Sequence, residues 1–411
     1  EVWICSGQSN MEFPLRGSYE ARKYIEKSLD PDLRFYSMKS TLTTYGVEWS
    51  GQDASRVNNM EYFSPAHWEN SAPGTASGVS AVAYYFGKML RDSLNVPVGL
   101  IMNAVGGTTT ESWVDREALA EKYPAILCDW YHNGLVMEWA RERAALNMAK
   151  CSTGNRRHPF TPGYLFNAGI KPLGHFPVTG AVWYQGESNA NNVESHERLF
   201  RLLVESWRKY WDNDSMPFYF VQLSSIDRPE WPLFRDSQRR LMNEIPHTGM
   251  AVSSDKGNRS DVHPIYKKEI GERLALWRLH DSWNKDIVPS GPLFREAVRT
   301  EQGVVVSFDY ADSLKTSDGN APECFELAGK DRIFHPATAS LAGNVAVLHS
   351  DDVPDPEYVR YAWQPYTEAN LVNESGLPAS TFISEISSSV IHGDIIDGKR
   401  ADEHDGLELK Y

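Results

Sequence analysis

Four cysteines in 411 residues, at positions 5, 128, 151 and 324, are too few and too unevenly spaced for a disulfide scaffold or a paired-cysteine zinc site. Cys5, inside an apolar run, reads as a buried thiol. No apolar run approaches the roughly 18 residues that a membrane span requires. Basic charge is also scarce: 41 Lys and Arg stand against 55 Asp and Glu, for a net charge of -14. The long-range field therefore repels nucleic acid and anionic membrane surfaces. It does not exclude an anionic sugar, because one or two arginines inside a pocket dominate locally. Solenoid repeats and low-complexity tracts are absent too. What remains is a globular chain with 41% hydrophobic residues, long enough to bury one large core or two.

Strand-like runs alternate with helical patterns as far as about residue 285, the latter at Tyr84 to Leu94, Glu117 to Tyr123, Glu138 to Ala149 and Leu199 to Trp211. Such alternation predicts an α/β fold over residues 1–287, a parallel sheet flanked by helices, with its site beyond the carboxyl ends of the strands. Within it, Glu20 to Ser80 is rich in Tyr, Ser, Asn and Trp and reads as a long elaborated loop able to shape a pocket. Residues 288–386 switch to short β-type runs separated by Gly, Pro and Asp, which predicts a smaller antiparallel β-domain. That domain is either a carbohydrate-binding module or a structural domain packed on the first. Residues 387–411 form a polar, charged tail.

Chemistry concentrates in four places. Val2-Trp3-Ile4-Cys5 runs into Gly7-Gln8-Ser9-Asn10, a strand that delivers a serine onto a tight turn. A hydroxyl held there makes a nucleophile, and the amide N–H groups that follow can face an oxyanion, although Ser before Asn is also a common helix cap. Val105-Gly106-Gly107-Thr108 follows another strand, and its glycines allow backbone N–H groups close to a ligand or simply make a turn. Trp183-Tyr184-Gln185-Gly186-Glu187-Ser188-Asn189 brings a carboxylate between two amides. Gln185 or Asn189 can donate to an oxyanion and Glu187 can orient a histidine. In Asp261-Val262-His263-Pro264 the proline biases His263 toward extended backbone, which puts Asp261 on the same side as His263. Pro264 also suits the first turn of a helix whose stripe includes Ile265, Ile270, Leu274 and Trp277. His67, His132, His158, His175 and His196 have no such setting and read as structural or exposed.

Gly-Gln-Ser-Asn-Met, Gly-Gly-Thr, Trp-Tyr-Gln-Gly-Glu-Ser-Asn and Asp-Val-His-Pro occur in the order seen in the SGNH hydrolase superfamily, and more narrowly the chain resembles its sialate O-acetylesterase branch, related to acetyl xylan esterases. The likeness continues through Tyr164 to Leu173 and Arg235-Asp236-Ser237-Gln238 to Gly376-Leu377-Pro378-Ala379-Ser380. It implies a flavodoxin-like fold and a serine esterase that removes O-acetyl groups from sialic acid, or from acetyl xylan or another polysaccharide, through an acetyl-enzyme. Ser9 is then the nucleophile, His263 the base, and Asp261 or Glu187 the orienting acid, with Asp261 favoured by its position two residues from His263. The oxyanion falls to the Ser9 and Gly107 N–H groups with Gln185 or Asn189. Arg16 and Arg235 lie near motifs expected to meet and are candidates for an anionic substrate. The chemistry calls for no metal and no cofactor. The resemblance also implies a signal peptide and a small β-domain upstream of residue 1, hence a secreted or periplasmic protein. A reading from a different class is a non-catalytic glycan-binding protein whose α/β domain is a relic, against which the joint presence of Ser9 and His263 argues.

Overall fold

The computed structural model describes residues 1–151, 157–282 and 286–387, so the expected tail lies, beyond Ser387, outside the described residues. A seven-stranded sheet organises the first part of the chain. Its strands are β1 (Val2–Gly7), β2 (Asp30–Ser37), β3 (Trp68–Ser71), β4 (Val98–Met102), β5 (Gly180–Tyr184), β6 (Phe218–Val221) and β7 (Thr248–Ala251), in the order β3-β2-β4-β1-β5-β6-β7. All neighbours pair in parallel except β2 and β3. Strands β4, β5 and β6 are buried along their whole length, as helices on both faces of a parallel sheet require.

Without β2 and β3 the order becomes β4-β1-β5-β6-β7, the doubly wound 2-1-3-4-5 arrangement in which the chain reverses direction beside the first strand. Strands β2 and β3 come from the segment between β1 and β4 and extend one edge. The expectation of a long elaborated loop over Glu20 to Ser80 is therefore corrected in part: the segment contains the eight-residue strand Asp30–Ser37 and the helix Gly51–Asn58. Polar turn residues around these short elements hid them from a reading based on composition.

The helices Ala81–Leu94 and Lys267–Ser282 cross closely on one face. Gly271 permits the crossing, since a Cβ there would lie 2.6 Å from the Val82 carbonyl oxygen. The second helix starts at Lys267 rather than in the turn at Pro264. Ile265 is accordingly exposed, while Ile270, Leu274 and Trp277 are buried as the stripe predicts.

Beyond residue 292 the sheets are antiparallel. One contains β8 (Leu293–Thr300), β9 (Gly303–Asp309), Thr338–Ala342 and Val345–His349; another contains Phe325–Ala328, Tyr358–Tyr361 and Phe382–Glu385 with the short His335–Pro336. Their facing side chains build a second hydrophobic cluster, with Phe294 stacked on Phe382 at 4.4 Å.

Arg235, on the helix Trp231–Glu244, joins the two parts. It is fully buried, and its guanidinium donates to the carbonyl oxygens of Pro365 at 3.0 Å, Ala362 at 2.9 Å and Gln364 at 2.7 Å. Burial pulls its pKa down to about 9. Gln222 Nε2 adds a 2.8 Å bond to Ser380 Oγ. The expectation that Arg235 binds substrate is thus corrected: the residue is fully buried and both terminal nitrogens donate to backbone carbonyls of the β-rich part.

Candidate active site

Strand β1 ends at Gly7, whose φ of +135° suits glycine, and a Cβ there would stand 2.1 Å from the Tyr184 carbonyl oxygen. The chain can therefore turn tightly against β5 and place Ser9 at the reversal point of the sheet. Gln8 secures the turn from both sides. Its N–H donates to Tyr184 O at 3.0 Å, and its Oε1 accepts from the Ser188 N–H at 3.2 Å. The Gln-Gly-Glu-Ser segment is in this way held against the serine turn.

His263 arrives after β7. Its Nε2 lies 2.8 Å from Ser9 Oγ, across 254 residues of sequence. Asp261 Oδ1 accepts the His263 backbone N–H at 2.8 Å and stands 3.8 Å from the imidazole Nδ1, with its side chain 60% exposed. Glu187 does not bond to the imidazole. It is buried, and Oε1 accepts from Asn10 Nδ2. Burial raises the Glu187 pKa.

Asn10 is a residue that motif reasoning missed. Its Nδ2 also donates to Val262 O at 2.8 Å, so one side chain ties the residue after Ser9 to the residue before His263. Its Oδ1 accepts from Lys267 Nζ. Lys267, 1% exposed, lies 4.9 Å from the Phe13 ring and 5.4 Å from that of Tyr184. Burial pulls its ammonium pKa down to about 7, against the opposing pull of Glu187. Desolvation lowers the His263 pKa, and the Lys267 charge lowers it further while Asp261 raises it. A neutral imidazole, able to take a proton, is favoured. The only sequence signal for this network was the Asn that follows Ser9, since a lysine three residues beyond Pro264, in the first turn of an expected helix, looks like a solvated residue.

The two amides expected to donate to an oxyanion do not face the cleft, and that expectation is corrected. Gln185 Nε2 donates to Thr108 O at 3.2 Å and to Asn189 Oδ1 at 2.7 Å. Asn189 Nδ2 donates to Glu111 Oε2 at 3.1 Å, and its Oδ1 accepts from the Thr110 N–H at 2.9 Å. Both amides are consumed in a buried network that includes Thr110 and His196, whose pKa burial lowers to about 3. Backbone donors remain. Glu12 Oε2 takes the Gly106 N–H at 2.8 Å, whereas among the described residues no acceptor takes the N–H of Ser9 or Gly107. Gly107 has a φ of +77°, the left-handed region that glycine enters without strain.

Two cavities of about 760 and 730 Å³ meet at this point, and Ser9, Glu12, Ser40 and His263 line both. Arg16 lies in the first, with Met38 and Ile265. Gly107, Trp139 and Arg143 lie in the second. Among the described residues no cluster of His, Cys, Asp and Glu is arranged to hold a metal ion, and no helix is long and apolar enough to cross a membrane.

A serine within hydrogen-bond distance of a histidine at the head of a doubly wound sheet occurs in many hydrolases, so the whole sequence must narrow the assignment. The family described as carbohydrate esterase, sialic acid-specific acetylesterase, matches residues 1–132 and 162–277. Sialate O-acetylesterase of Mus musculus is 26% identical over 437 residues, covering 94% of this chain and 77% of that protein. The Homo sapiens protein of the same name is 29% identical over 420 residues, covering 94% and 75%. The crystal structure of a carbohydrate acetylesterase from Xanthomonas citri superposes with a TM-score of 0.76 at 30% identity, over 93% of this chain and 80% of that one. The match spans the strand-turn that carries Ser9 and the turn that carries His263, and the chain therefore belongs to the sialic acid-specific acetylesterase family of carbohydrate esterases and is a carboxylic ester hydrolase.

Proposed function

We propose that the protein is an SGNH-type serine O-acetylesterase that acts on O-acetylated sialic acid. The observation that carries this reading is the 2.8 Å contact between Ser9 Oγ and His263 Nε2 where two open cavities meet. Ser9 Oγ attacks the acetyl carbonyl as His263 Nε2 takes its proton, and the oxyanion rests on the N–H groups of Ser9 and Gly107. Collapse of the tetrahedral intermediate expels the sugar alkoxide, which receives the proton from His263. Water, deprotonated by His263, then attacks the acetyl-enzyme and releases acetate and free Ser9. Asp261, the carboxylate nearest Nδ1, supports the imidazolium. Glu187 belongs instead to the buried bracing around Asn10.

The test is acetate release from 9-O-acetylated sialic acid beside acetyl xylan, with a fluorophosphonate probe on the same preparation. Faster release from the sialate and labelling of Ser9 are expected. Faster release from xylan overturns the substrate, and absence of labelling on Ser9 overturns the serine mechanism in favour of a glycan-binding role.

A further inference from the structure

Most charged groups around Ser9 already have partners. Glu187 accepts from Asn10, Glu12 from Gly106, and Lys267 donates to Asn10. Arg143 differs. Its guanidinium lies 4.6 Å from the Trp139 ring and 5.2 Å from that of Tyr45, and among the described residues no carboxylate or carbonyl takes its donors. The side chain is half-buried and lines the same cavity as Ser9, Gly107 and His263.

Three features make this more than a solvated arginine. Two rings lie within cation–π distance of the guanidinium, so part of its rotamer freedom is already lost before its fork meets an anion. It touches the turn that carries a free backbone donor, for a Cβ on Gly107 would come within 2.9 Å of Arg143 Nη1. Finally, the cavity volume of about 730 Å³ lies within the range of roughly 300–1,000 Å³ usual for small-molecule sites. A half-desolvated cation with a vacant, oriented fork suits a planar carboxylate bound through two parallel hydrogen bonds. Arg16, on the opposite side of Ser9, has no comparable ring support and is exposed.

We propose that the cavity on the Gly107 side of Ser9 is the subsite for the substrate's carboxylate, with Arg143, beside Tyr45 and Trp139, as the specificity-determining residue that grips it. This rests on the reading of Ser9 and His263 as a sialate O-acetylesterase site. The subsite converts the acyl-transfer centre, which by itself accepts any acetyl ester, into one selective for an acidic sugar.

The test pairs turnover with binding. KM is measured for 9-O-acetylated sialic acid and for its carboxylate methyl ester with the wild type, Arg143→Met, Arg143→Lys and Arg16→Met. The wild type should favour the free acid by roughly tenfold to a hundredfold, the range of a charge-assisted hydrogen bond. Arg143→Met should erase that preference, Arg143→Lys should keep part of it, and Arg16→Met should retain it. Separately, calorimetry measures binding of free N-acetylneuraminate to Ser9→Ala protein with and without Arg143→Met, and the second change should weaken it by a similar factor. An unchanged acid-to-ester ratio in Arg143→Met, its loss in Arg16→Met alone, or equal N-acetylneuraminate affinity in the two Ser9→Ala proteins overturns the subsite. If the wild type fails to hydrolyse the acetylated sialate while Arg143 still governs N-acetylneuraminate binding, the subsite stands and the proposed esterase substrate falls.

Discussion

Arg235, at the junction between the parallel sheet and the β-rich part, and Arg143, in the cleft at Ser9, meet surroundings that treat the charge in opposite ways. Arg235 is fully buried, and its two terminal nitrogens donate to three carbonyl oxygens, those of Ala362, Gln364 and Pro365. Arg143 is half-buried, flanked by rings, and left with open donors toward a cavity. A buried polar group whose partners are all internal does structural work, since removing it strands those partners. One held rigidly beside a cavity with its donors unused retains capacity for a ligand. Cleft and junction should therefore fail differently, the first in turnover and the second in stability.

The largest effects should come from the cleft. Ser9→Ala and His263→Ala should each lower acetate release by more than about 10²-fold, since a positioned base alone supplies on the order of 10²–10⁴. Thermal unfolding should stay near that of the wild type, because Ser9 and His263 are only partly buried. Either variant retaining a tenth of the activity would break the assignment of the cleft.

Asp261→Asn should cost roughly tenfold to a hundredfold in kcat, well below the ~10⁴ that a buried, hydrogen-bonded aspartate supplies in serine proteases. The reason is its 3.8 Å separation from Nδ1 and its exposure. Glu187→Gln should cost less, because the amide oxygen can still accept from Asn10. A larger loss in Glu187→Gln would move the orienting role to the buried acid.

At the junction, Arg235→Met should lower stability by about 3 kcal/mol, the expected order when buried carbonyls lose their donors. Chemical denaturation read by fluorescence measures this, and activity of the folded fraction should remain close to wild type. A selective rise in KM instead would return Arg235 to the substrate.

The smallest effect concerns pH. The His263 pKa lies below its ordinary value through burial and the Lys267 charge. A base must be neutral to act, so kcat/KM should rise with pH through a midpoint below about 6.5, the ordinary imidazole value. Lys267, with a pKa of about 7, is still cationic on that limb. Lys267→Met should shift the midpoint upward and Asp261→Asn should shift it downward, because the first loses a like charge and the second an opposite one. Shifts in the same direction would separate His263 from this network.

Legibility divides along the range of the interactions. Local pattern determined the alternation of strands and helices, the antiparallel runs beyond residue 292, and the strand-turn that carries Ser9, because periodicity and turn chemistry are settled by neighbours in sequence. The ordered motifs likewise brought out Ser9, His263 and the family. The fate of each polar side chain was decided only by tertiary structure. Gln185 and Asn189 could have donated to an oxyanion on any sequence criterion, yet Thr108 and Glu111, more than 70 residues away, accept from their amides. Arg235 stood near a motif, yet its helix turns it toward carbonyls 127–130 residues downstream. Asn10 and Lys267 acquire meaning only because a helix starting at residue 267 passes beneath a turn at residue 9. A hydrogen bond discriminates over tenths of an ångström, whereas the hydrophobic pattern places an element only to within a residue or two, so the pattern reveals which parts meet and the packed chain alone reveals which atoms remain free.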